Sequence, residues 1–374
     1  MKKLTEPEWM HERRRDLWKR YAAVPQPTRK DEEWKFTDFS GFVEKEPWEF
    51  AVAIAAPKGV IATGMPIALE KHQDVLKKFL GSALDRTPKF ALFAAASWTN
   101  GYFVHVPRNT VVKKPIVVKH FMSEGVASSH SIVIAEEGSR VTVCEIFEGS
   151  PDAHYGTLEV IAHPNAHVDI VTVQRFGENT WDYSYKRGKC AADARINWSF
   201  ALLGGRMSVL REDTSLDGPG ASSDIKGVYF GSGKQHYSVF TNNYHLVQNT
   251  RANVDTRGVL KDGASSATRG LIRIEKAAKG TDSFLHDRTL HLGGATSHAI
   301  PCLEIENNDV RASHGASTGK IDPDQLFYMR TRGLTEGEAE TLIVQGFFEP
   351  VVDALAGEIR EGVREAIQKK IGVK

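Results

Sequence analysis

The chain has 374 residues, 41% hydrophobic and 25% charged, and its 48 Lys and Arg against 47 Asp and Glu leave a formal net charge of +1. That balance excludes a dedicated nucleic-acid binder, which carries a strong basic excess, while the apolar content is ample for one large core or two modest ones. The three cysteines, Cys144, Cys190 and Cys302, lie far apart with no CxxC pair. This excludes a zinc ribbon or a self-sufficient cysteine-ligated cluster within one chain and fits a reducing compartment.

The first twenty residues mix acidic, basic and aromatic side chains, with no apolar run for a signal peptide. The longest apolar stretches, such as Ala51 to Ala56 and Phe90 to Ala96, fall short of the roughly 18 residues a spanning helix needs. A soluble, cytoplasmic protein is therefore expected. Residues 6–23 read as an amphipathic helix carrying Trp9, Leu17, Trp18 and Tyr21, stopped by Pro25. A loop with Asp31-Glu-Glu-Trp-Lys-Phe-Thr-Asp38 follows. Residues 68–95 predict one or two more helices, the clearest around Glu70 to Leu80.

From about residue 100 the apolar period changes to two. Tyr102 to Val106, Ile116 to Val118 and Ser131 to Ile134 predict short strands, and this texture continues to about residue 312. Such a run suits a sandwich, a barrel or a β-solenoid. A weak repeat favours the solenoid. Turn-plus-strand pieces beginning at Gly138, Asn165, Asp193 and Gly220 start 27, 28 and 27 residues apart. Gly220-Ala-Ser-Ser recurs 43 residues on as Gly263-Ala-Ser-Ser, and Gly294-Ala-Thr-Ser continues the series. A small-residue turn returning every 20–45 residues or so is how stacked coils read. Each coil buries its inner side chains only against its neighbours, so the ends need caps, a role the flanking helical regions are expected to fill.

The tail turns helical again. Asp322 as cap with Pro323 at the first position opens one helix, which ends at Gly333. Thr335 and Glu338 form a capping box for a second. After Pro350 a third is expected to run to about Lys370, with Val351, Leu355, Ile359, Val363 and Ile367 on one stripe. The chain thus divides into an N-terminal helical region, 1–99, a β core, 100–312, and a C-terminal helical region, 313–374.

Among chemistry-bearing motifs, there is no GxxxxGK[ST], GxSxG or HExxH. Two residues stand out. Cys302 and His314 bracket the last predicted strands, and thiolate and imidazole are ligands that iron accepts. Each also has a plain structural reading: Cys302 as a small buried hydrophobe in a rung, His314 as a turn residue beside Gly315.

The segment Ala312-Ser-His-Gly-Ala-Ser-Thr-Gly-Lys-Ile-Asp-Pro-Asp-Gln-Leu-Phe-Tyr-Met-Arg-Thr-Arg-Gly-Leu-Thr335 resembles the C-terminal signature of the SufB/SufD family, and is most like its SufD branch. Pro301-x-Leu-Glu-Ile and Asp309-Val precede it as they do there. Glu33-Trp-Lys-Phe-Thr-Asp38 is similar to the family's N-terminal motif, and Gly101-Tyr-Phe-Val-His-Val-Pro107 to its first rung. The resemblance implies a right-handed parallel β-helix flanked by helical regions, serving as a non-catalytic scaffold subunit for iron–sulfur cluster assembly. It implies as partners a SufC-like ATPase, held by the C-terminal helices, and a SufB-like paralogue or a second copy of the chain. The implied cofactor state is no resident group in the isolated chain and a transient iron–sulfur cluster in the complex, with His314 as the residue matching the family's implicated histidine. One departure is Ala312, where SufD-like chains often carry Cys. Leu326, Phe327, Tyr328, Phe347 and Phe348 are the partner-interface candidates on the tail. The competing expectation, from another class, is a β-helix carbohydrate-active enzyme with a charged groove on one solenoid face. A SufB-like homodimeric scaffold is the other alternative.

Overall fold

A computed structural model describes residues 6–85, 87–353, 355 and 357–372. Two nine-stranded sheets wind as a parallel β-solenoid of about 8 turns, the mainly β architecture expected from the turn-and-strand repeat. The first sheet runs, in spatial order, β1 (Ala51–Ile54), β4 (Ile116–Met122), β6 (Arg140–Gly149), β8 (His167–Phe176), β10 (Arg195–Leu202), β12 (Ser222–Gly231), β14 (Arg251–Lys261), β16 (Thr281–Leu292) and β18 (Val310–Lys320). The second runs β2 (Ile61–Gly64), β3 (Tyr102–Val106), β5 (Val126–Ala135), β7 (Ala153–Ala162), β9 (Trp181–Cys190), β11 (Met207–Leu216), β13 (His236–His245), β15 (Ser265–Ile274) and β17 (Thr296–Ile305). Among the described residues, only β1 with β4 and β2 with β3 pair antiparallel.

The repeat has a simple cause. Asn165 and Asp193 adopt positive φ of 59° and 56°, and Gly138 and Gly220 occupy the same corner at 69° and 74°. Asn, Asp and Gly are the residues that tolerate this left-handed conformation. The corners stack: the N–H groups of Gly138, Asn165 and Asp193 donate to the carbonyls of Pro164, Ala192 and Pro219, one coil on. At Gly220 a Cβ would lie 2.1 Å from Asp193 Oδ1, so a larger residue there would have to displace that side chain. The spacings of 27, 28 and 27 residues are therefore whole coils. The 43-residue recurrence is not. Gly220 leads into β12 of the first sheet and Gly263 into β15 of the second, so that interval is about one and a half coils and Gly263 and Gly294 belong to the opposite corner.

Strands pair without register slip, so side chains form columns. Val143, Ile170, Trp198, Ile225 and Val254 stack in one inward column. Successive members sit about 4.8 Å apart, so each is buried by the coils above and below. The interior fills tightly: Phe200 occupies space that leaves room only for hydrogen at Gly227, where a Cβ would lie 1.9 Å from the ring.

The flanking helices lie along the sides of the solenoid, which corrects the expectation that helices cap its ends; the first end is closed instead by the short strands β1 and β2 of the N-terminal region. α1 (Glu8–Ala23), α2 (Met65–Lys71), α3 (Gln73–Phe79) and α4 (Lys89–Ser97) lie on the N-terminal side. The helical stretch expected around residue 70–80 is broken at His72 into α2 and α3. α4 is buried along Phe90 to Ala96 and packs on β5, β7 and β9. The Asp31–Asp38 segment is a strap across the second sheet. Glu33 pairs with Arg211 on β11, Thr37 Oγ1 lies 2.6 Å from Ser238 Oγ on β13, and Glu32 lies 3.4 Å from Arg269 on β15. Phe36 stacks on His298 of β17 with ring centres 3.7 Å apart.

On the other side are α5 (Pro323–Thr331), α6 (Glu336–Val352) and α7 (Gly357–Ile371). The caps follow the sequence: Asp324 N donates to Asp322 Oδ1 at 2.8 Å, and Thr335 and Glu338 form both bonds of the capping box. Pro350, expected to end a helix, lies inside α6. The bond it forfeits is one to Gly346 in the last turn, and burial of Val351 and Val352 against the first sheet outweighs that loss. The predicted stripe from Val351 to Ile367 is thus split over two helices but does bury on one cluster. Arg257 Nη1 donates to Phe347 O at 2.7 Å, and Lys370 Nζ donates to Leu203 O and Gln235 Oε1, both at 2.7 Å, pinning the pair to the solenoid.

The interior is not wholly apolar. Lys186 and Glu145 form a buried ion pair, and Thr172 Oγ1 donates to Glu145 at 3.0 Å. Glu212 faces the same charges fully buried, with no hydrogen-bond partner on either oxygen. Burial, with Glu145 adding to it and Lys186 opposing, pushes its carboxyl from an ordinary 4.5 up to about 8. The folded chain therefore keeps a proton that the unfolded chain releases, and stability falls as pH rises from about 4.5 to about 8. Glu212→Gln removes that term. Its unfolding free energy should exceed that of the parent at pH 8 by something on the order of a few kcal/mol and match it more closely at pH 5. Calorimetry at both pH values checks this, and parallel pH profiles for the two proteins would refute it.

Candidate functional site

Each coil of the solenoid supplies the next with a hydrogen-bonding edge, except the last. β17 and β18 end the two sheets, and their side chains are half-buried or exposed while those of earlier strands are mostly buried. Both present unpaired backbone groups along their outer edges, a template for another strand. Thr296 and Glu306 direct their N–H groups to β15, so by alternation the nitrogen of Pro301 faces the free edge, where it costs no internal bond. β18 contains no proline and is built of small residues from Ala312 to Gly319, apart from His314.

The register places His314 precisely enough to read its side. It pairs with Leu285, which pairs with Val254, so His314 continues the column of Val143, Ile170, Trp198 and Ile225. Every earlier member is core; His314, with no coil beyond it, is exposed. It is an imidazole set at the open mouth of the interior. Cys302 is elsewhere. It pairs with Leu271, which pairs with Asn242 and then Asp213. Asp213 accepts from Arg211 beneath the strap, so this column lies on the outer face of the second sheet. Cys302 and His314 thus occupy different sheets and opposite faces, and the fold does not bring them together. The inward positions of the terminal rung, Ala312, Ala316 and Thr318 on β18 and Ser297, Ala299 and Leu303 on β17, carry neither thiol nor carboxylate. Among the described residues no group of three His, Cys, Asp or Glu could hold a metal ion.

Sequence reasoning missed the ties that hold this rung. His291 Nε2 lies 2.9 Å from Ser297 Oγ, which lies 3.1 Å from Thr318 Oγ1, so a side-chain relay joins β16, β17 and β18. Burial, then Lys320, lowers the His291 pKa, which favours the neutral ring in that relay. No local motif marks these three residues; only the register does. Of the tail candidates, Phe327 and Tyr328 are 68% and 58% exposed and Leu326 is half-buried on a helix with no buried residue. Phe347 lies against Arg257, and Phe348, 1% exposed, packs on Phe230 in the core, which removes Phe348 from any partner surface.

One other constellation has catalytic shape. Ser129 Oγ lies 3.0 Å from His154 Nε2, and His154 Nδ1 lies 2.8 Å from Asp182 Oδ1. The three are 3%, 0% and 2% exposed, sealed inside the solenoid, where they cross-link coils. No substrate reaches a serine so placed.

Comparison with known proteins identifies the family. The profile of the family described as SUF system FeS cluster assembly, SufBD core domain, matches residues 119–347. The chain is 32% identical over 326 residues to the iron–sulfur cluster assembly protein SufD of Bacillus subtilis (strain 168), covering 84% of this chain and 74% of that protein. Iron–sulfur cluster assembly SufBD family proteins of Staphylococcus aureus (strain USA300) and Staphylococcus saprophyticus are 29% and 28% identical, each over 80% of this chain and 66% of theirs. These matches leave the carbohydrate-active alternative without support. No described helix is long and apolar enough to cross a membrane.

The thiols provide a direct check of the geometry. Cys144 and Cys190 are fully buried, and burial pushes both thiols up, Cys144 to about 12. Cys302 is the half-buried one. The native chain should release one equivalent of chromophore from a disulfide reagent at neutral pH, rising to three on denaturation, and Cys302→Ser should abolish the native reaction. Fast labelling of a second thiol in the folded chain would contradict the packing.

Proposed function

The chain belongs to the SufBD family of iron–sulfur cluster assembly proteins, and on that premise we propose that it is the SufD-type half of a two-chain scaffold, pairing through its open rung. The observation that carries this reading is the position of His314, an exposed imidazole in a column that is otherwise core, on an edge with unpaired backbone groups. The cluster is cargo, built at the shared edge and passed on. Iron–sulfur clusters are held mainly by thiolates, and the inward face of this rung offers none. A second copy would add a second imidazole and still no thiol. The partner on this reading is therefore a cysteine-bearing SufB-like paralogue, and the homodimer is the weaker alternative. Cys302, turned outward, does not replace the cysteine absent at Ala312.

The C-terminal helices serve as the handle for a SufC-like ATPase. Support comes from the division of labour within them: α6 and α7 are committed to the first sheet, while α5 has no buried residue and displays Phe327 and Tyr328. ATP hydrolysis would belong to the partner, and this subunit would transmit its motion.

Two measurements test the proposal. Purified alone, the chain should carry little iron or acid-labile sulfide. Co-expressed with the paralogue and ATPase, it should support cluster formation, and His314→Ala should reduce the yield several-fold while leaving the far-ultraviolet circular dichroism unchanged. Wild-type cluster yield with His314→Ala would remove the histidine from the mechanism. For the handle, Phe327→Asp alters a side chain outside the core. It should leave the thermal midpoint within a degree or two and weaken capture of the ATPase by at least about tenfold, since a buried aromatic anchor contributes 2 kcal/mol or more at a typical interface. Undiminished capture would place the contact elsewhere.

A further inference from the structure

The outer face of the first sheet carries a charge pattern that the open rung does not use. Arg140, Arg195 and Arg251 share one column of the register, with His167 and Ser222 on the rungs between them. All three arginines are exposed. They sit on alternate rungs, so a cation returns about every 9.6 Å. Arg108 at the first corner pairs with Glu137, and Arg311 at the end of the column pairs with Asp282 at 2.6 Å. Between them, among the described residues, Arg140, Arg195 and Arg251 have no carboxylate within ion-pair reach; Arg195 donates to Ser222 Oγ at 3.1 Å. Their field reaches the rung between: burial first, then Arg140 and Arg195, lower the His167 pKa, with Asp169 opposing. The acids of this face alternate with the arginines. Asp169 and Asp224 lie on the intervening rungs, in the neighbouring column, where Asn197 and Asn253 donate to them at 2.8 and 2.9 Å. Asp193 occupies the corner before Arg195. With Asn197 and Lys226, Asp169 and Asp224 line a polar groove of about 240 Å³ beside the arginines.

That alternation selects the partner. A nucleic-acid strand carries a charge about every 3.4 Å and so sets phosphates against Asp169 and Asp224. A peptide can leave those rungs neutral. We propose that this face binds an acidic, extended segment of a partner protein, in the polyproline II conformation, with a carboxylate at every third residue. Such a chain has three residues per turn and rises about 3.1 Å per residue, so its carboxylates recur on one side about every 9.3 Å, close to the spacing of the arginines. A β-strand returns to one face about every 6.7 Å. A helix returns one heptad on, about every 10.5 Å, which is about 2 Å out of step by the third arginine. Each guanidinium takes a carboxylate through two parallel hydrogen bonds. The neutral residues between the acids lie over the groove, and the backbone of the segment, which makes no internal hydrogen bonds, is open to Lys226 and the Asn197 amide. The proposal rests on the charge pattern alone and is independent of the cluster-assembly reading.

The test titrates the full chain into end-capped, fluorescently labelled peptides and follows anisotropy at low and high salt. Glu-Pro-Pro repeats set a carboxylate at every third residue of a polyproline II chain. Glu-Pro repeats with the same number of glutamates set them two apart, on different sides. The Glu-Pro-Pro peptide should bind saturably, at least about 3-fold tighter than the Glu-Pro control, and weaken as salt rises. Arg195→Gln should weaken it about 3-fold, the loss of one exposed ion pair, and the triple variant Arg140→Gln, Arg195→Gln, Arg251→Gln should abolish binding. Arg311→Gln, which removes an arginine already paired with Asp282, should leave the affinity unchanged. All four side chains are exposed, so each variant should keep the thermal midpoint of the parent; if the triple variant does not fold, Arg195→Gln decides. Absence of saturable binding, equal affinity for the two peptides, tighter binding of an oligothymidylate or of inorganic polyphosphate than of Glu-Pro-Pro, or an affinity indifferent to Arg195→Gln overturns the proposal.

Discussion

The parallel backbone ladder is the interaction on which this molecule depends. Each strand donates to and accepts from both of its neighbours, its N–H and C=O groups turning to alternate sides residue by residue, so a coil is satisfied only when a coil lies on both sides of it. The same stacking sets the core, because inward side chains touch mainly their counterparts one rung away. It also sets the corners, where Asn, Asp or Gly must take a left-handed conformation once per turn. A structure built this way has an unavoidable remainder: at its end a full-length strand is left with one edge unpaired.

The two ends resolve that remainder differently. At the first, β1 and β2 lie antiparallel on β4 and β3, short strands that close the ladder without offering a continuation. α2 and α3 pack beside them, burying Leu69 and Leu76 with Phe103 and Ile132. At the last, nothing equivalent is present among the described residues. The C-terminal helices, which had the position in sequence to act as a cap, lie on the outer face of the first sheet instead. Their apolar residues complement that face: Val344, Phe348, Val363 and Ile367 meet Val171, Val173 and Phe230. The open rung is thus a consequence of where the tail finds its larger apolar contact, and it leaves an edge long enough to template another chain.

Much of this was legible beforehand because it depends on local chemistry. The corner residues Gly138, Asn165, Asp193 and Gly220 announced the coil length, since few residues tolerate their backbone conformation. The caps at Asp322 and Thr335 fixed the tail helices because side chain and N–H are neighbours in sequence. What was not legible depends on register. Whether a residue on β17 or β18 faces in or out follows from counting through every preceding rung, and one bulge would reverse the answer. Cys302 and His314, twelve positions apart, were both candidate ligands in the sequence, and the register puts them on opposite faces. The helix through Pro350 failed for a related reason: propensity is local, but the burial of Val351 and Val352 that overrides it is not. The strap shows the reverse case, a motif whose resemblance was plain and whose purpose needed the fold, since Glu33, Thr37 and Phe36 find Arg211, Ser238 and His298 on three different strands.

The pinning of the tail bears on how motion would pass through such a scaffold. Arg257 fixes the middle of α6 and Lys370 the end of α7, and both anchor on backbone or side-chain oxygens that act as rigid acceptors. A pull on α5 would therefore reach the solenoid at two points, Arg257 on β14 and the turn oxygens of Leu203 and Gln235, some way from the rung. The solenoid between is a stack of in-register ladders whose coils cannot slide without breaking a full set of hydrogen bonds, so it moves as one body. In the proposed pair, that confines the softest element to the edge contact between the two chains, where only one strand from each side and no shared core resist. Relative rotation of the chains would then open the site holding His314 before it strained either fold, which places the movable part of the scaffold at the rung where cargo is proposed to form.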